Sequence, residues 1–360
     1  MIGAFMRSTS HRHAYNGWLV WLVLVFFSAC VSTQDPKMQD HEAPAASESG
    51  MPSESGFKLG DTRTLNIPGT NVSFSLVYVP GGTYTIGSPE SEQGRDTDEG
   101  PAVSVELGGY WIGQYEVTGD EFSVFRYPDR DADTTAVPGA VYYVDAVSRP
   151  SPPYEDPAFG MGGARKPAVG MTQWGALHYA KWMTEKTGVF FRLATEAEWE
   201  TACKAGTTLP FGPGVDATNV AEYAWMSSNG GGKLNEVGSK KPNAWGIYDL
   251  FGNAAEWTMD EYQADYASLI AEINSVDPWI EPSRLHPRTV KGGSFYDSAN
   301  ELRCSDRLES TLNWKRRDPQ IPKSFWWNTD APFLGFRLVA PEKAMTAEEL
   351  EFFWTLVLGE

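Results

Sequence analysis

Few side chains of reactive type occur in this sequence, and most lie far apart. Five histidines are present, two of them (His11 and His13) at the extreme N-terminus. That leaves little material for a metal site built on imidazole. His41, His178 and His286 stand alone, with no second histidine at ligand spacing. Three cysteines, Cys30, Cys203 and Cys304, are too few for a disulfide-dense scaffold. Asp297 and Asp306 lie close in sequence to Arg303 and Arg307. Two carboxylates beside two guanidiniums could form a hydrolytic or metal site, or ion pairs that fix a loop. A run of aromatic and polar residues, Ser324 to Phe333, contains Trp326, Trp327, Asn328 and Asp330. Exposed indoles beside Asn and Asp would suit a peptide or a sugar, whereas buried ones are core.

The whole chain is acidic, with a formal net charge of −18. It would repel a phosphate backbone, so nucleic acid is not an expected partner. Gly and Pro, at 35 and 24 of 360 residues, point to many turns rather than a helical bundle. Residues 1–17 carry Arg7 and Arg12 and no acid, and residues 18–29 read WLVWLVLVFFSA. Twelve helical residues span about 18 Å, short of the ~30 Å hydrocarbon core. This reads as a signal peptide over residues 1–29. It ends Phe27-Ser28-Ala29-Cys30, which resembles the lipobox of bacterial lipoproteins, with Phe27 where Leu is usual. Cys30 is therefore the expected lipidation site. Residues 30–56, Ser-, Pro- and Glu-rich, read as a disordered tether to a membrane anchor. The expected location is the cell envelope, on the periplasmic or surface side, with Val31 favouring the outer membrane. Such a compartment permits disulfides.

A loop-rich domain follows. Val72–Val79, Thr83–Ile86 and Val103–Leu107 read as strands, and Pro80-Gly81-Gly82 as a turn. Thr118 can cap a short helix to Phe125, and residues 172–187 form a helical run that ends at Gly188. Thr195 and Glu198 have capping-box spacing, as do Thr346 and Glu349. The latter pair opens a C-terminal amphipathic helix in residues 343–360, expected to dock on its own domain. Residues 126–167 are a long excursion rich in Pro, Asp and Tyr. No internal repeat is evident.

Six segments together resemble the formylglycine-generating enzyme family, or sulfatase-modifying factors. They are Val79-Pro80-Gly81-Gly82-Thr83-Tyr84 with Ile86-Gly87; Gly113 to Thr118 (GQYEVT); Arg192 to Glu200 (RLATEAEWE); Asn243 to Trp257 (NAWGIYDLFGNAAEW); Lys291 to Phe295 (KGGSF); and Gly335 to Leu338 (GFRL). Ala194 replaces the usual Pro. The resemblance implies one α+β domain over residues 57–342, related to C-type lectins, with few short helices.

The family oxidises a sulfatase cysteine with a thiol pair, copper and oxygen. The resemblance places those thiols at Asp297 and Leu302, neither of which is a soft ligand for Cu(I). Copper is therefore not expected. Iron is not expected either, because the iron-binding branch uses clustered histidines on a separate domain. Cys304 resembles instead a family element that pairs with a cysteine at the position of Cys203. The implied disulfide, against two free thiols as the alternative, would add up to roughly 4–5 kcal/mol. A family calcium site maps onto the side chains of Asp249 and Glu256 and the carbonyls of Gly252 and Ala254, where a glycine turn can gather oxygen ligands. A second, weaker one maps to Asn219 and Val220. The Ser324–Phe333 stretch borders the family's substrate groove. Ser294, Asp297, Arg303 and Trp326 are the groove candidates. The expected function is binding of a peptide, protein or glycan without oxidase chemistry, and the alternative is a working enzyme of the family.

Overall fold

The computed structural model describes residues 56–131, 149–273 and 275–359. The expected signal peptide, Cys30, nearly all of the tether and the middle of the 126–167 excursion lie outside the described residues.

In chain order the elements are β1 (Thr62–Asn66), β2 (Ser73–Val79), β3 (Gly82–Ile86), β4 (Val103–Leu107), β5 (Tyr110–Gly113), α1 (Gly119–Arg126) and α2 (Gln173–Thr187). Then come β6 (Arg192–Leu193), α3 (Glu196–Lys204), β7 (Ala255–Glu261), α4 (Tyr266–Ile273), β8 (Arg288–Lys291), β9 (Leu308–Glu309), β10 (Leu334–Gly335), β11 (Leu338–Pro341) and α5 (Ala347–Leu358). A five-stranded sheet has the order β1-β2-β5-β11-β6, a four-stranded sheet β10-β7-β8-β9, and β3 pairs with β4. The architecture is α+β and loop-rich, as expected.

The five-stranded sheet is antiparallel throughout and buried on both faces of its centre. Successive strand residues point to opposite faces, and here each face meets its own apolar cluster. Leu76 and Tyr78 of β2, Trp111 of β5, and Leu338 and Ala340 of β11 join Phe122, Tyr179 and Phe336 on the α1–α2 side. Val77, Val79, Ile112 and Val339 join Trp199, Phe251 and Leu302 on the α3 side.

Helix starts follow local chemistry. Thr118, Thr195 and Thr346 each accept a hydrogen bond from the backbone N–H of the glutamate three residues on, and that glutamate answers to the threonine's N–H. Such pairs satisfy otherwise orphaned donors. Helix α2 starts from Thr172 and stops where Gly188 takes a left-handed conformation. Helix α5 docks on its own domain: Trp354 and Leu358 lie in the α1–α2 cluster, and the Phe353 ring meets Phe190 edge-on at 5.1 Å.

Cys203, in the last turn of α3, is bonded to Cys304, 101 residues further on. The sulfurs join two segments that share the α3-side cluster. Reduction is expected to lower unfolding free energy by roughly 4–5 kcal/mol, the chain-entropy value for so long a loop. Urea melts with and without reductant, paired with non-reducing peptide mapping, check both the bond and its magnitude. Unchanged melts would assign the stability to packing alone.

Candidate functional site

The KGGSF segment leaves β8 and turns sharply. Lys291 stays in the core, 1% exposed. Gly293 has φ +62°, and a Cβ there would lie 2.7 Å from the Glu301 carbonyl and 2.6 Å from Leu302 Cδ2. Only glycine allows so close a pass. Ser294 is buried. Asp297 Oδ2 accepts from the Ser294 N–H at 2.8 Å and from the Ser294 hydroxyl at 2.7 Å. Its carboxylate therefore closes its own turn. Leu302 is fully buried in the α3-side cluster. The two positions that would carry the oxidase thiols thus hold a turn-closing carboxylate and a core aliphatic. Cys304 and Cys203 are joined, so no thiol is free among the described residues.

Arg303 is 2% exposed and is not a groove residue. Its two terminal nitrogens each meet a Glu99 oxygen at 2.6 Å, and it also reaches Glu92 at 3.0 Å and the Gly94 carbonyl at 2.6 Å. Arg307 grips Glu196. These pairs fix the loop, which is the structural alternative anticipated for this cluster. Asp306 is only 3.5 Å from Arg303, and burial, then Glu99, pushes its carboxyl up to about 8. Trp326 is also corrected. It is 3% exposed and packs on Trp174, His178 and Phe125 in the α1–α2 cluster. The aromatic surface at the turn comes instead from Tyr296, which sequence reading passed over. Its ring is 52% exposed, 4.1 Å from Phe295 and 6.3 Å from Phe333. Its only sequence signal is its place beside the glycine turn.

Of the expected calcium ligands, the side chains of Asp249 and Glu256 lie within electrostatic reach of each other. Asp249 has φ +56°, and Oδ2 accepts from the Gly238 N–H at 2.7 Å. Its Oδ1 is buried without a protein partner. Glu256, by contrast, is fully engaged. Arg337 binds both oxygens at 2.6 Å, and the Trp199 indole donates at 2.8 Å. A third carboxylate, Glu116, accepts from Ala254 N–H and Asn253 Nδ2. Three buried carboxylates thus face one guanidinium. Burial, then Asp249 and Glu256, raises Glu116 well above its ordinary range. Burial raises Asp249 to about 6. An acid surplus with an orphaned oxygen fits a cation at Asp249, while both Glu256 oxygens are held by Arg337. At the position of the weaker site the bonds are local. Asn219 Oδ1 accepts from Asp216 N–H, its Nδ2 donates to the Gly214 carbonyl, and Val220 is buried.

Comparison with known proteins agrees with this layout. The sulfatase-modifying factor enzyme 1-like domain family matches residues 68–340. A serine/threonine-protein kinase pkn1 of Chlamydia caviae is 28% identical, covering 64% of this chain. The match takes in only 35% of that kinase's length. The formylglycine-generating enzyme of Thermomonospora curvata is 26% identical, covering 62% of this chain and 83% of its own. The inactive C-alpha-formylglycine-generating enzyme 2 of Mus musculus is 27% identical over 63% of this chain and 76% of its own. Among solved structures, PvdO from Pseudomonas aeruginosa superposes with a TM-score of 0.59, at 24% identity, over 79% of this chain and all of that one.

Asp249 gives a pH prediction. Its folded pKa is raised from 3.8 to about 6, so the folded state holds its proton longer than the unfolded state does. Its contribution to stability must fall as pH rises through that interval and then stay as a constant penalty. Asp249→Asn can turn its amide oxygen to accept from the Gly238 N–H and tolerates the left-handed backbone. It is expected to be more stable than wild type at pH 7 by roughly 2–3 kcal/mol and to lose that advantage near pH 4. Paired urea melts at the two pH values check this. An Asn variant less stable at pH 7 would mean the charge is compensated.

Proposed function

We propose that this chain, which belongs to the sulfatase-modifying factor family, serves as a binding module and does not perform the family's cysteine oxidation. The observation that carries this reading is the pair Asp297 and Leu302. One carboxylate oxygen of Asp297 holds Ser294, and Leu302 is sealed in the core. No soft ligand pair for Cu(I) stands at the turn. A relative named inactive C-alpha-formylglycine-generating enzyme 2 supports a non-catalytic role within the family. The ligand is a peptide, protein or glycan, received at the turn where Tyr296 is presented beside half-buried Phe333. An exposed ring braced by other rings can stack on a sugar face or an apolar side chain at small entropic cost.

We place this domain outside the cytoplasm, held to the membrane by a lipid on Cys30. The oxidised Cys203–Cys304 pair is compatible with that compartment. Calcium belongs to the same proposal, with Asp249 Oδ1 as the side-chain ligand and the Gly252 and Ala254 carbonyls beside it. Bound there it would neutralise the local acid surplus.

Two measurements test the function. Cu(I) competition with a chromogenic chelator should show no tight site, and a cysteine-containing sulfatase-motif peptide should gain no aldehyde when incubated with copper and oxygen. Aldehyde formation would overturn the reading. Peptide-library and glycan-array screens should then give ligands whose binding Tyr296→Ala weakens by about tenfold at unchanged Tm. For calcium, millimolar CaCl2 should raise the Tm of wild type and not of Asp249→Asn. No shift in either would remove calcium from this site.

A further inference from the structure

A second site lies where the start of α2, the approach to β8 and the segment 314–328 meet. It is a cavity of about 50 Å³ whose lining includes Trp174, Trp257, His286, Arg288, Lys315 and Asn328. Three of these residues carry a buried polar atom with no protein partner: His286 Nε2, Arg288 Nη1 and Asn328 Oδ1. Asn328 is wholly buried. Unpaired buried polar groups are costly and rare. All three residues belong to the lining of the same cavity.

The hydrogen bonds set the character of each atom. Ser310 Oγ accepts from the Arg288 N–H at 2.7 Å and lies 2.7 Å from His286 Nδ1. We take the tautomer in which the Ser310 hydroxyl donates to Nδ1, which puts the imidazole hydrogen on Nε2. Burial, then Lys315 and Arg288, pushes His286 down to about 4, so the ring is neutral. Nε2 and Arg288 Nη1 are both donors. Lys315 adds positive charge and is anchored by donating to the Ser324 carbonyl at 2.6 Å. Asn328 Nδ2 faces the Met171 carbonyl at 3.3 Å, which leaves Oδ1 as an acceptor. The nearby acids are occupied elsewhere. Glu261 holds Ser283 and Arg284, Asp260 holds the Glu196 and Ile280 N–H groups, and Asp318 holds the Ser324 N–H.

We infer that this cavity binds a carboxylate, with His286 and Arg288 as donors to its oxygens and Asn328 Oδ1 accepting from an N–H next to it. The volume admits the head group alone. The rest of the ligand extends past Trp174 and the half-exposed Leu285. A carboxylate with an adjacent N–H occurs at the C-terminus of a peptide and in a free amino acid. The site is separate from the Tyr296 surface, and its failure would leave the reading of that surface standing.

The test is isothermal titration of the purified full chain with N-acetylglycine, N-acetylglycinamide and glycine. N-acetylglycine should bind at least about tenfold more tightly than the amide, which lacks the charged oxygens. Stronger binding of N-acetylglycine than of glycine assigns the site to peptide C-termini, and the reverse to free amino acids. Arg288→Met should weaken binding by about tenfold or more with Tm held. If that variant does not fold, His286→Phe, which removes the Nε2 donor, takes its place. Equal binding of acid and amide, unchanged affinity in the folded variant, or no heat from either carboxylate up to about 20 mM would overturn the proposal and leave water as the occupant.

Discussion

The α3-side half of this domain is organised around buried ion pairs that radiate from α3. Each acid of the TEAEWE segment has its own task. Glu196 meets Arg307 and Lys291. Glu198 closes the helix start and binds Arg192. Glu200 accepts from the Gly87 N–H and Ser305 and pairs with Lys204 and Lys291. Those cations overcome the burial that would raise it and hold Glu200 down at about 2. The Trp199 indole extends the lattice to Glu256, and through it to Arg337 of the GFRL segment. Five of the recognition motifs therefore meet in one network. Buried pairs add little net stability over apolar packing, but loss of one partner strands a charge at about 3–5 kcal/mol. This lattice acts on specificity: only one relative placement of α3, β7, β8 and the 303–307 segment satisfies every member.

That constraint separates the shape of the turn from its chemistry. The segment 292–302 is held at its start by Lys291 and at its end by Arg303, Cys304 and Arg307, all buried or nearly so. None of these anchors uses the residues at 297 or 302. At the two positions where the resemblance implies thiols, Asp297 caps Ser294 and Leu302 fills the core.

How much of this was legible in the sequence depends on how local the cause is. The capped helices α1, α2, α3 and α5 were readable because their start signals lie within three residues of each other. β5 and β11 were not, and β2 showed only partial alternation. Both faces of these strands are buried, so the alternation is between two apolar clusters and leaves no polar trace. The disulfide was reached through family resemblance and could not follow from three cysteines alone. Trp326 was misplaced because side-chain type does not reveal burial, and Tyr296 was passed over for the same reason. The ligands of Glu256 were hidden because Arg337 lies 81 residues away.

Charge balance divides the interior into three kinds of region. Around α3, acids and bases match nearly one for one, and each has named partners. Around Asp249 the balance is negative: Glu116, Asp249 and Glu256 share Arg337, and one oxygen has no donor. Around His286, Arg288 and Lys315 are pressed down to about 10 and about 8, chiefly by burial and against the pull of Glu261, Asp260 and Asp318. A protein interior does not tolerate unmatched charge cheaply. An isolated structural network has no reason to leave charge and hydrogen-bonding capacity unmatched, because apolar residues of similar volume would serve as well. Both regions hold orphaned polar atoms: a carboxylate oxygen at Asp249, and at the other the side-chain nitrogens of His286 and Arg288 with the Asn328 oxygen. Under the two proposals above, a cation would take up the Asp249 oxygen and a carboxylate the His286 and Arg288 nitrogens. The balanced lattice between them holds the domain in register whether or not either partner is present.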